Sequence, residues 1–334
     1  MKAAPARLYC LLAREARSGV IFRRGPTRHV LLIKWNLDGD TFEFGQWLKG
    51  RIYERRCDLS PSGDRLIYFA ATYKEPLMSW TALSKPPWLT AIALWPKGDG
   101  WNGGGFFNTD TDLVLNHPQD QSELQPDSDL GDVRVTGYAP YRGEDDTVYH
   151  HLLRRGGWEF IQEAVWKKHE NKRPNAIGEL IEMLNKSDDP LAAVLEEHGM
   201  TLDQLEKTKQ SLDTFFGEGS TWSADGWIAD KPEVWEKPSG PLVLRQELHG
   251  IARRNRNWYD LRYLVKDSSG GPVLDLGTLD WAEWDANGDL VFARAGCLYR
   301  AKATDRTVSP EVLLADFNAL TFEAISSPAS ARKW

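Results

Sequence analysis

Short apolar segments separated by turn-forming residues run through most of the chain. This alternation of apolar segments and turns limits the folds that the chain can adopt. The segments are rich in β-branched and aromatic residues, and Gly, Pro, Asp and Ser bound them. This texture is typical of β-strands, because branched and aromatic side chains pack well on a pleated surface. We predict strands at residues 20–22, 30–35, 66–71, 78–83, 89–95, 242–251, 258–266, 273–276, 289–294 and 297–302.

The middle of the chain has a helical pattern instead. Asp189 precedes Pro190, as expected of an N-cap followed by proline at the first helical position. Gly199 stands where a left-handed C-terminal cap is expected, and Thr201 with Gln204 fits a capping box. We predict helices at residues 158–169, 176–186, 191–198 and 202–216.

These patterns divide the 334 residues into three parts. Residues 1–150 form a β-rich first part with an acidic loop near 117–132, residues 151–218 form a helical insert, and residues 219–334 form a second β-rich part that completes the same body. The acidic loop has almost no apolar content, so we expect it to be exposed and mobile. The alternative organisation is two separate β domains that flank a helical one.

One turn motif recurs along the chain. In the segment 58–69, Asp-Leu-Ser-Pro-Ser-Gly-Asp-Arg-Leu-Ile-Tyr-Phe, the proline presets φ at the first turn position and Gly63 accepts the positive φ that follows. Partial copies lie at 35–40, 222–227 and 284–292, and each has a tryptophan four residues before its glycine, where the ring can pack over the hairpin. The four glycines, at 39, 63, 226 and 288, are spaced 24, 163 and 62 residues apart, whereas a regular propeller repeats every ~40–50 residues.

This motif resembles the hairpin of β-propeller blades of the WD-repeat and TolB-like kind, in which a strand ends in Ser-Pro-Asp-Gly and a second apolar strand follows. The resemblance implies a mainly β, antiparallel, β-propeller-like architecture with an α-helical insertion. A β-sandwich or barrel plus a helical domain is the alternative fold class. The Ser-Pro-Ser-Gly-Asp core, followed by Trp-Pro-Lys-Gly and Gly-Gly-Gly-Phe, is also similar to bacterial proteins that accompany defence loci, including type III CRISPR systems.

Composition favours a globular protein of a reducing compartment. The chain has 41 Lys and Arg against 48 Asp and Glu, and no segment approaches the roughly 18 uninterrupted apolar residues of a membrane helix. Cys10, Cys57 and Cys297 are odd in number and far apart, and residues 1–18 contain no signal-peptide core. We therefore expect a cytoplasmic protein without a disulfide framework.

Motifs of common catalytic and cofactor sites are incomplete. Residues 98–103 match Gly-x-Gly-x-x-Gly, but Gly-Gly-Phe follows where a dinucleotide site needs a helix. The chain has no Walker A loop, no Gly-x-Ser-x-Gly elbow and no Cys/His zinc spacing. The acids at 144–146 look like a solvated face. We assign no catalytic, cofactor-binding or metal-binding residue and expect no cofactor.

Two regions are candidates for contact with a partner. Trp88, Trp95 and Trp101 cluster around proline and glycine, where aromatic side chains can anchor an interface. An aromatic cap on a tight connection is the alternative for Trp101. The second region comprises Arg253, Arg254, Arg256, Trp258 and Tyr259. Its guanidinium groups can pair with phosphates and its rings can stack on bases, as in a nucleic-acid-binding segment. The alternative interpretation is an arginine-rich hairpin turn between two strands.

These observations predict a non-enzymatic scaffold or accessory subunit of a bacterial-type complex, with one or more proteins as partners and no membrane. The 15 tryptophans are suited to interface anchors, and the resemblance adds a role in antiviral defence. Two other classes stay open. One is a hydrolase or other enzyme whose site is assembled from distant loops, which a cleft with convergent Asp, Glu or His would favour. The other is a nucleic-acid-binding protein that uses the 253–259 segment.

Overall fold

The computed structural model describes residues 4–25, 28–118, 122–138, 145–168, 226–251 and 258–334. The chain divides into two compact units. The larger unit comprises Met1–Glu163, Val234–Glu247 and Leu261–Trp334, and the smaller unit comprises Ala164–Glu233 and Leu248–Asp260. The helices predicted at 176–186, 191–198 and 202–216 lie outside the described residues.

The described residues are mainly antiparallel β with one α-helix, and none of their sheets closes into a barrel. The first strands are β1 (Arg7–Leu12), β2 (Ser18–Arg24), β3 (His29–Asn36), β4 (Thr41–Lys49), β5 (Arg51–Ile52), β6 (Asp58–Leu59), β7 (Leu66–Ala71), β8 (Ser79–Ser84), β9 (Ala93–Pro96), β10 (Gly105–Phe107), β11 (Asp112–Leu115) and β12 (Arg134–Tyr138). Helix α1 (Asp146–Arg155) follows them. In the part of the chain that is described, no helix has the length and apolar character needed to cross a membrane.

The strands after α1 complete the β structure. They are β13 (Glu159–Gln162), β14 (Val165–Lys168), β15 (Trp227–Ser239), β16 (Leu242–Ile251), β17 (Tyr259–Asp267), β18 (Pro272–Thr278), β19 (Trp281–Trp284), β20 (Leu290–Arg294), β21 (Cys297–Ala301), β22 (Ala303–Thr304), β23 (Thr307–Val308) and β24 (Val312–Asp316). Each predicted strand segment that the structure describes overlaps one of these strands.

The larger unit is a series of sheets whose strands are mostly sequential. The first sheet has the order β1-β2-β3-β4, and the second has the order β5-β7-β8-β9 with β6 also paired to β7. The third is β10-β11-β12, in which β11 and β12 run parallel. In the fourth, β13 pairs with β15 at residues 234–236, and β16, β17 and β18 follow in order. The fifth has the order β19-β20-β21-β24. In the smaller unit, β14 pairs with β15 at residues 227–231.

Burial along the strands follows their sequence patterns. Strand β7, Leu-Ile-Tyr-Phe-Ala-Ala, is buried at every residue, because an uninterrupted apolar run can be covered on both faces of its sheet. Strand β16, Leu-Val-Leu-Arg-Gln-Glu-Leu-His-Gly-Ile, alternates buried and half-buried residues, as expected of a sheet with one covered face. The two patterns separate a strand that is covered on both faces from a strand that is covered on one face.

Apolar clusters join neighbouring sheets of the larger unit. One lies between the first and fifth sheets, another between the first and second, and another between the second and third. Their fully buried members include Ile33, Trp35 and Val291 in the first cluster, Phe22, Leu32 and Tyr68 in the second, and Ile67, Phe107 and Leu115 in the third. Burying a side chain of this size contributes roughly 1.5–3 kcal/mol, so these clusters supply most of the packing between sheets.

The predicted hairpins at 35–40, 58–69 and 284–292 are confirmed, and the one at 222–227 begins outside the described residues. The turns join β3 to β4, β6 to β7 and β19 to β20, and Gly39, Gly63 and Gly288 have φ angles of 85°, 81° and 79°. Trp35 is fully buried and donates from Nε1 to Asp40 of its own turn at 3.0 Å. The three turns occupy different positions in their sheets. The turn at 35–40 joins the last two strands of its sheet, whereas the other two turns join earlier strands.

The helix predicted over 158–169 is wrong, because residues 159–162 and 165–168 are β13 and β14, which pair with β15. Pairing with a long neighbouring strand outweighs the small helical propensity of this segment. The helix lies earlier, in α1, and ends in a Schellman motif. Gly157 has a φ of 85°, its N–H donates to the carbonyl of Arg154 at 3.1 Å, and the N–H of Trp158 donates to Leu153 at 2.9 Å.

The acidic loop near 117–132 is attached to β9 over its described part. The N–H of Gln125 donates to the carbonyl of Leu94, and the N–H of Asp129 donates to that of Ile92, both at 2.9 Å. Leu124 and Leu130 pack against the cluster between the second and third sheets. For residues 122–132 the expectation of a mobile loop is therefore corrected, because backbone bonds and two apolar contacts offset the cost of ordering.

One arginine joins two of the motif turns. Arg300 of β21 donates from Nε and Nη2 to the two carboxylate oxygens of Asp40 at 3.0 and 2.9 Å, and its Nη1 binds Asp285 and Asp289. Burial acts to lower the pKa of Arg300, but hydrogen bonds to Asp40 and Asp285 raise it above its ordinary value. The guanidinium is largely buried, so this network differs from an exposed ion pair.

We expect Arg300→Met to lower the free energy of unfolding by about 3 kcal/mol, because three aspartates lose their shared cation. Urea denaturation measures this loss. Arg294→Met in the same sheet is the control, since its pair with Glu311 is well exposed and should contribute less than about 1 kcal/mol. Equal losses in the two variants would contradict the structural role of Arg300.

Candidate functional site

The three tryptophans of the first candidate region have different exposures. Trp95 of β9 is 2% exposed and packs with Ile67 and Phe107, so its ring belongs to the core and is not available to a partner. Trp88 is half-buried in a turn, where its N–H donates to the carbonyl of Lys85 at 2.8 Å. Trp101 is 46% exposed. Of this group, Trp101 is the side chain that presents a large apolar surface to solvent.

The second candidate region is described only in part. Arg253, Arg254 and Arg256 lie outside the described residues. Trp258 is 38% exposed and belongs to the smaller unit, as does Tyr259, which begins β17 and is half-buried. The expectation that arginine and aromatic side chains converge here stays a prediction.

The loop that carries Trp101, residues 98–104, is held in place by its neighbours. Arg56 donates from Nη1 to the carbonyls of Gly100, at 2.7 Å, and Asn102. Within the loop, the side chain of Asp99 accepts the N–H of Trp101 at 2.8 Å. Outside it, Ser79 binds the carbonyl of Asp99. These bonds fix the backbone on both sides of Trp101.

Two glycines explain why this loop can lie so close to the second sheet. A Cβ on Gly103 would be 2.3 Å from the ring of Phe69, and a Cβ on Gly104 would be 1.9 Å from the carbonyl oxygen of Arg56. Both glycines also have positive φ, at 84° and 76°. The glycine-rich sequence therefore permits close packing of the loop, and a strand, not a helix, follows it at β10.

Arg56 is buried and needs a counter-charge. It is 1% exposed, binds the carboxylate of Asp145 immediately before α1, and lies over the ring of Tyr53 at 4.6 Å. Asp145 is 7% exposed, so the interpretation of residues 144–146 as a solvated face is wrong for this residue. A buried cation without a counter-charge would cost free energy, and the buried carboxylate of Asp145 supplies that counter-charge.

A second exposed aromatic side chain lies beside the loop. Tyr73 is 52% exposed, and its hydroxyl lies 3.5 Å from the position that a Cβ on Gly100 would occupy. The hydroxyls of Tyr73 and Tyr53 are hydrogen-bonded to each other. We call Tyr73, Gly100 and Trp101 the Trp101 surface.

A cavity of about 390 Å³ lies within the larger unit. Strands β1, β6 and β19, helix α1 and parts of the fourth sheet supply its wall. Its charged lining residues are Arg14, Asp58, Arg155, Lys237, Glu283 and Asp285. Its aromatic lining residues are Tyr9, Tyr149, Trp158, Tyr263, Trp281 and Trp284.

Each carboxylate of this cavity is engaged by a cation. Arg155 donates to both oxygens of Asp58 at 2.8 and 2.7 Å, and the N–H of Phe107 adds a bond of 2.8 Å. Lys237 lies 2.9 Å from Glu283, and Asp285 is bound by Arg300. Each of these carboxylates therefore accepts hydrogen bonds from a neighbouring cation. Among the described residues, no group of three or more His, Cys, Asp and Glu side chains could hold a metal ion.

Two tyrosines converge on a buried glutamine in the cavity wall. The hydroxyls of Tyr149 and Tyr263 donate to Oε1 of Gln246 at 2.9 and 2.8 Å, and Gln246 is 3% exposed. Burial, with the neighbouring Tyr149, raises the pKa of Tyr263 well above its ordinary value, and the same causes raise that of Tyr9. These phenols stay protonated at neutral pH.

Sequence reasoning missed this cavity, although one signal for it was present. Tyr149, Leu152 and Leu153 have the spacing of a single helix face, and α1 presents them to the cavity. The pairing of Arg155 with Asp58 had no local signal, because 97 residues separate them.

Stability should fall as pH rises above about 10, because the unfolded tyrosines then ionise while Tyr9 and Tyr263 remain protonated in the folded state. Tyr263→Phe removes one such group, so the fall between pH 10 and 11 should shrink by up to about 1.4 kcal/mol per pH unit. Urea unfolding at pH 8, 10 and 11 measures the difference. An unchanged pH dependence in the variant would contradict the burial of this phenol.

Comparison of the chain with protein-family models, with curated proteins and with solved structures finds no match.

Proposed function

We propose that this chain is a non-enzymatic interaction protein, a scaffold or accessory subunit of a larger complex, and that the Trp101 surface contacts its partner. The observation that carries the proposal is an exposed tryptophan on a backbone that Arg56 and Asp99 hold fixed. Tryptophan and tyrosine are enriched among residues that dominate binding energy, and a fixed loop loses little entropy on binding.

We extend the proposal to a β-propeller-like arrangement of the sheets in the larger unit. Shared apolar clusters link the fifth sheet to the first, the first to the second and the second to the third. Strands β1, β6 and β19 contribute to the wall of one cavity, as the inner strands of propeller blades do. The parallel pairing of β11 with β12 departs from a regular blade.

The engaged state of the cavity carboxylates supports binding over catalysis. Asp58, Glu283 and Asp285 converge on a cleft, which is the feature that an enzyme requires, but each is hydrogen-bonded to a cation. A nucleic-acid-binding role rests on the 253–259 segment and is opposed by the net charge of −7.

Location and biological setting are part of the proposal. Cys10, Cys57 and Cys297 are free thiols, which agrees with a cytoplasmic protein in a reducing environment. We include a role in antiviral defence in the proposal, on the resemblance that the Ser-Pro-Ser-Gly-Asp motif suggests.

Affinity purification from the natural source, followed by binding measurements with each recovered protein, tests the Trp101 surface. We expect Trp101→Ala to weaken binding of the partner by about 30-fold or more, since a buried tryptophan anchor contributes 2 kcal/mol or more. The melting temperature should be unchanged, because the ring is exposed.

Phe44→Ala is the matched control, because Phe44 of β4 is an equally exposed aromatic residue, at 49%. It should leave the affinity unchanged. Full affinity in a Trp101→Ala, Tyr73→Ala double variant would overturn the assignment of this surface. Turnover of a substrate by the purified protein alone would overturn the non-enzymatic function.

A further inference from the structure

Two arginines of the cavity wall converge on one carbonyl oxygen. Arg14, which follows β1, and Arg155, the last residue of α1, both donate to the oxygen of Phe107, at 3.1 and 2.8 Å. Their guanidinium groups are therefore close neighbours at the wall of the same cavity, where Arg14 is also exposed to solvent. Partial burial, and then the charge of Arg155, lower the pKa of Arg14.

These arginines keep donors available after their protein contacts are counted. A guanidinium has five N–H donors. Arg14 uses Nη2 for the carbonyls of Phe107 and Asn108, and no described residue accepts from its Nε or Nη1. Arg155 binds Asp58 and Phe107 through Nη1 and Asp58 through Nη2, which leaves one N–H of Nη2 and the buried N–H of Nε. Nε and Nη1 of Arg14 thus keep N–H groups on different sides of the guanidinium, and each of them can donate a charge-assisted hydrogen bond to a phosphate or carboxylate.

Arg14 forms no ion pair with any of the three carboxylates of the cavity, although the charge of Asp58 acts to raise its pKa. Asp58 is paired with Arg155, Glu283 with Lys237 and Asp285 with Arg300. Among the other carboxylates near Arg14, Asp110 accepts the N–H of Ser62, and Glu15 is exposed. Neither of them lines the cavity. An anion bound beside Arg14 would give this guanidinium an ion-pair partner of its own.

A neutral polar group lies farther along the same cavity. Oε1 of Gln246 accepts from Tyr149 and Tyr263, and no described residue accepts a hydrogen bond from its Nε2, although Gln246 is 3% exposed. Tyr149 and Arg155 are six residues apart on α1, so they lie about 9 Å apart along the helix axis. The cavity wall therefore presents both cationic donors and an amide donor.

We propose that this cavity is a binding site for a small organic anion with a planar body. Arg14 and Arg155 bind its phosphate or carboxylate group, the Nε2 of Gln246 donates to a polar atom elsewhere on the ligand, and the aromatic wall, including Trp158 and Trp284, contacts its ring. The volume of about 390 Å³ is in the range of small-molecule sites. This site uses none of the residues of the Trp101 surface, so either proposal can fail alone.

Isothermal titration calorimetry with four probes tests the site. 4-Nitrophenyl phosphate combines an anion, a ring and a distal acceptor, phenyl phosphate lacks the acceptor, and inorganic phosphate lacks the ring. 4-Nitrobenzoate replaces the phosphate by a carboxylate. We expect 4-nitrophenyl phosphate to bind more tightly than phenyl phosphate, and phenyl phosphate more tightly than inorganic phosphate. The relative affinity of 4-nitrobenzoate identifies which anionic group the arginines prefer.

Arg14→Ala is the decisive variant, because Arg14 is exposed on one side and its loss leaves no carboxylate unpaired. We expect it to weaken binding of 4-nitrophenyl phosphate about tenfold or more, and Arg14→Lys to restore part of the affinity. Arg17→Ala is the matched control, since Arg17 lies three residues away, pairs with Asp38 and does not line the cavity. It should bind as the wild type does.

Equal binding by the wild type and by Arg14→Ala would overturn the proposal, as would the absence of binding of all four probes at millimolar concentration. Release of 4-nitrophenol from the phosphate ester would leave the site standing and would instead overturn the non-enzymatic function. Circular dichroism and thermal melting of each variant establish that a loss of binding is not a loss of folding.

Discussion

Buried guanidinium groups join the structural elements of the larger unit, and the rest of that unit depends on them. Arg56 binds the Trp101 loop and the start of α1, Arg155 binds the end of α1 to the second and third sheets, and Arg300 binds two hairpin turns. Arg23, 2% exposed, donates to carbonyls that follow β24. Loops between sheets leave carbonyl groups without ladder partners, and a planar cation with five donors satisfies several of them at once.

Strands and turns were predictable because their causes are local. Apolar runs and a positive φ at glycine are properties of a few adjacent residues, so β7, β16 and the turn at Gly63 match the expectation. Pairing partners are not local, which is why the segment after Trp158 forms strands on β15 instead of a helix. The irregular glycine spacing was also informative, since the motif turns occupy different places in their sheets.

The candidate site likewise combines local features, which the sequence indicated, with contacts between distant residues, which it did not. The glycine-rich sequence around Trp101 indicated an unusual loop, but its fixation by Arg56 depends on a residue that lies 44 positions earlier. Sequence proximity grouped Trp95 with Trp101, whereas alternation along β9 directs the first ring into the core. The ion pairs of the cavity carboxylates join residues up to 97 positions apart, and composition carries no information on such pairs.

The fixed backbone at Trp101 has a consequence for the kinetics of recognition. A partner that meets a preformed loop does not wait for it to order, so its association rate is set by diffusion and orientation, typically about 10⁵–10⁷ M⁻¹ s⁻¹ for proteins. Differences in affinity among partners would then lie in how long each complex survives. In the proposed complex, the hydrogen bonds that hold residues 98–104 would therefore remove loop ordering from the association step.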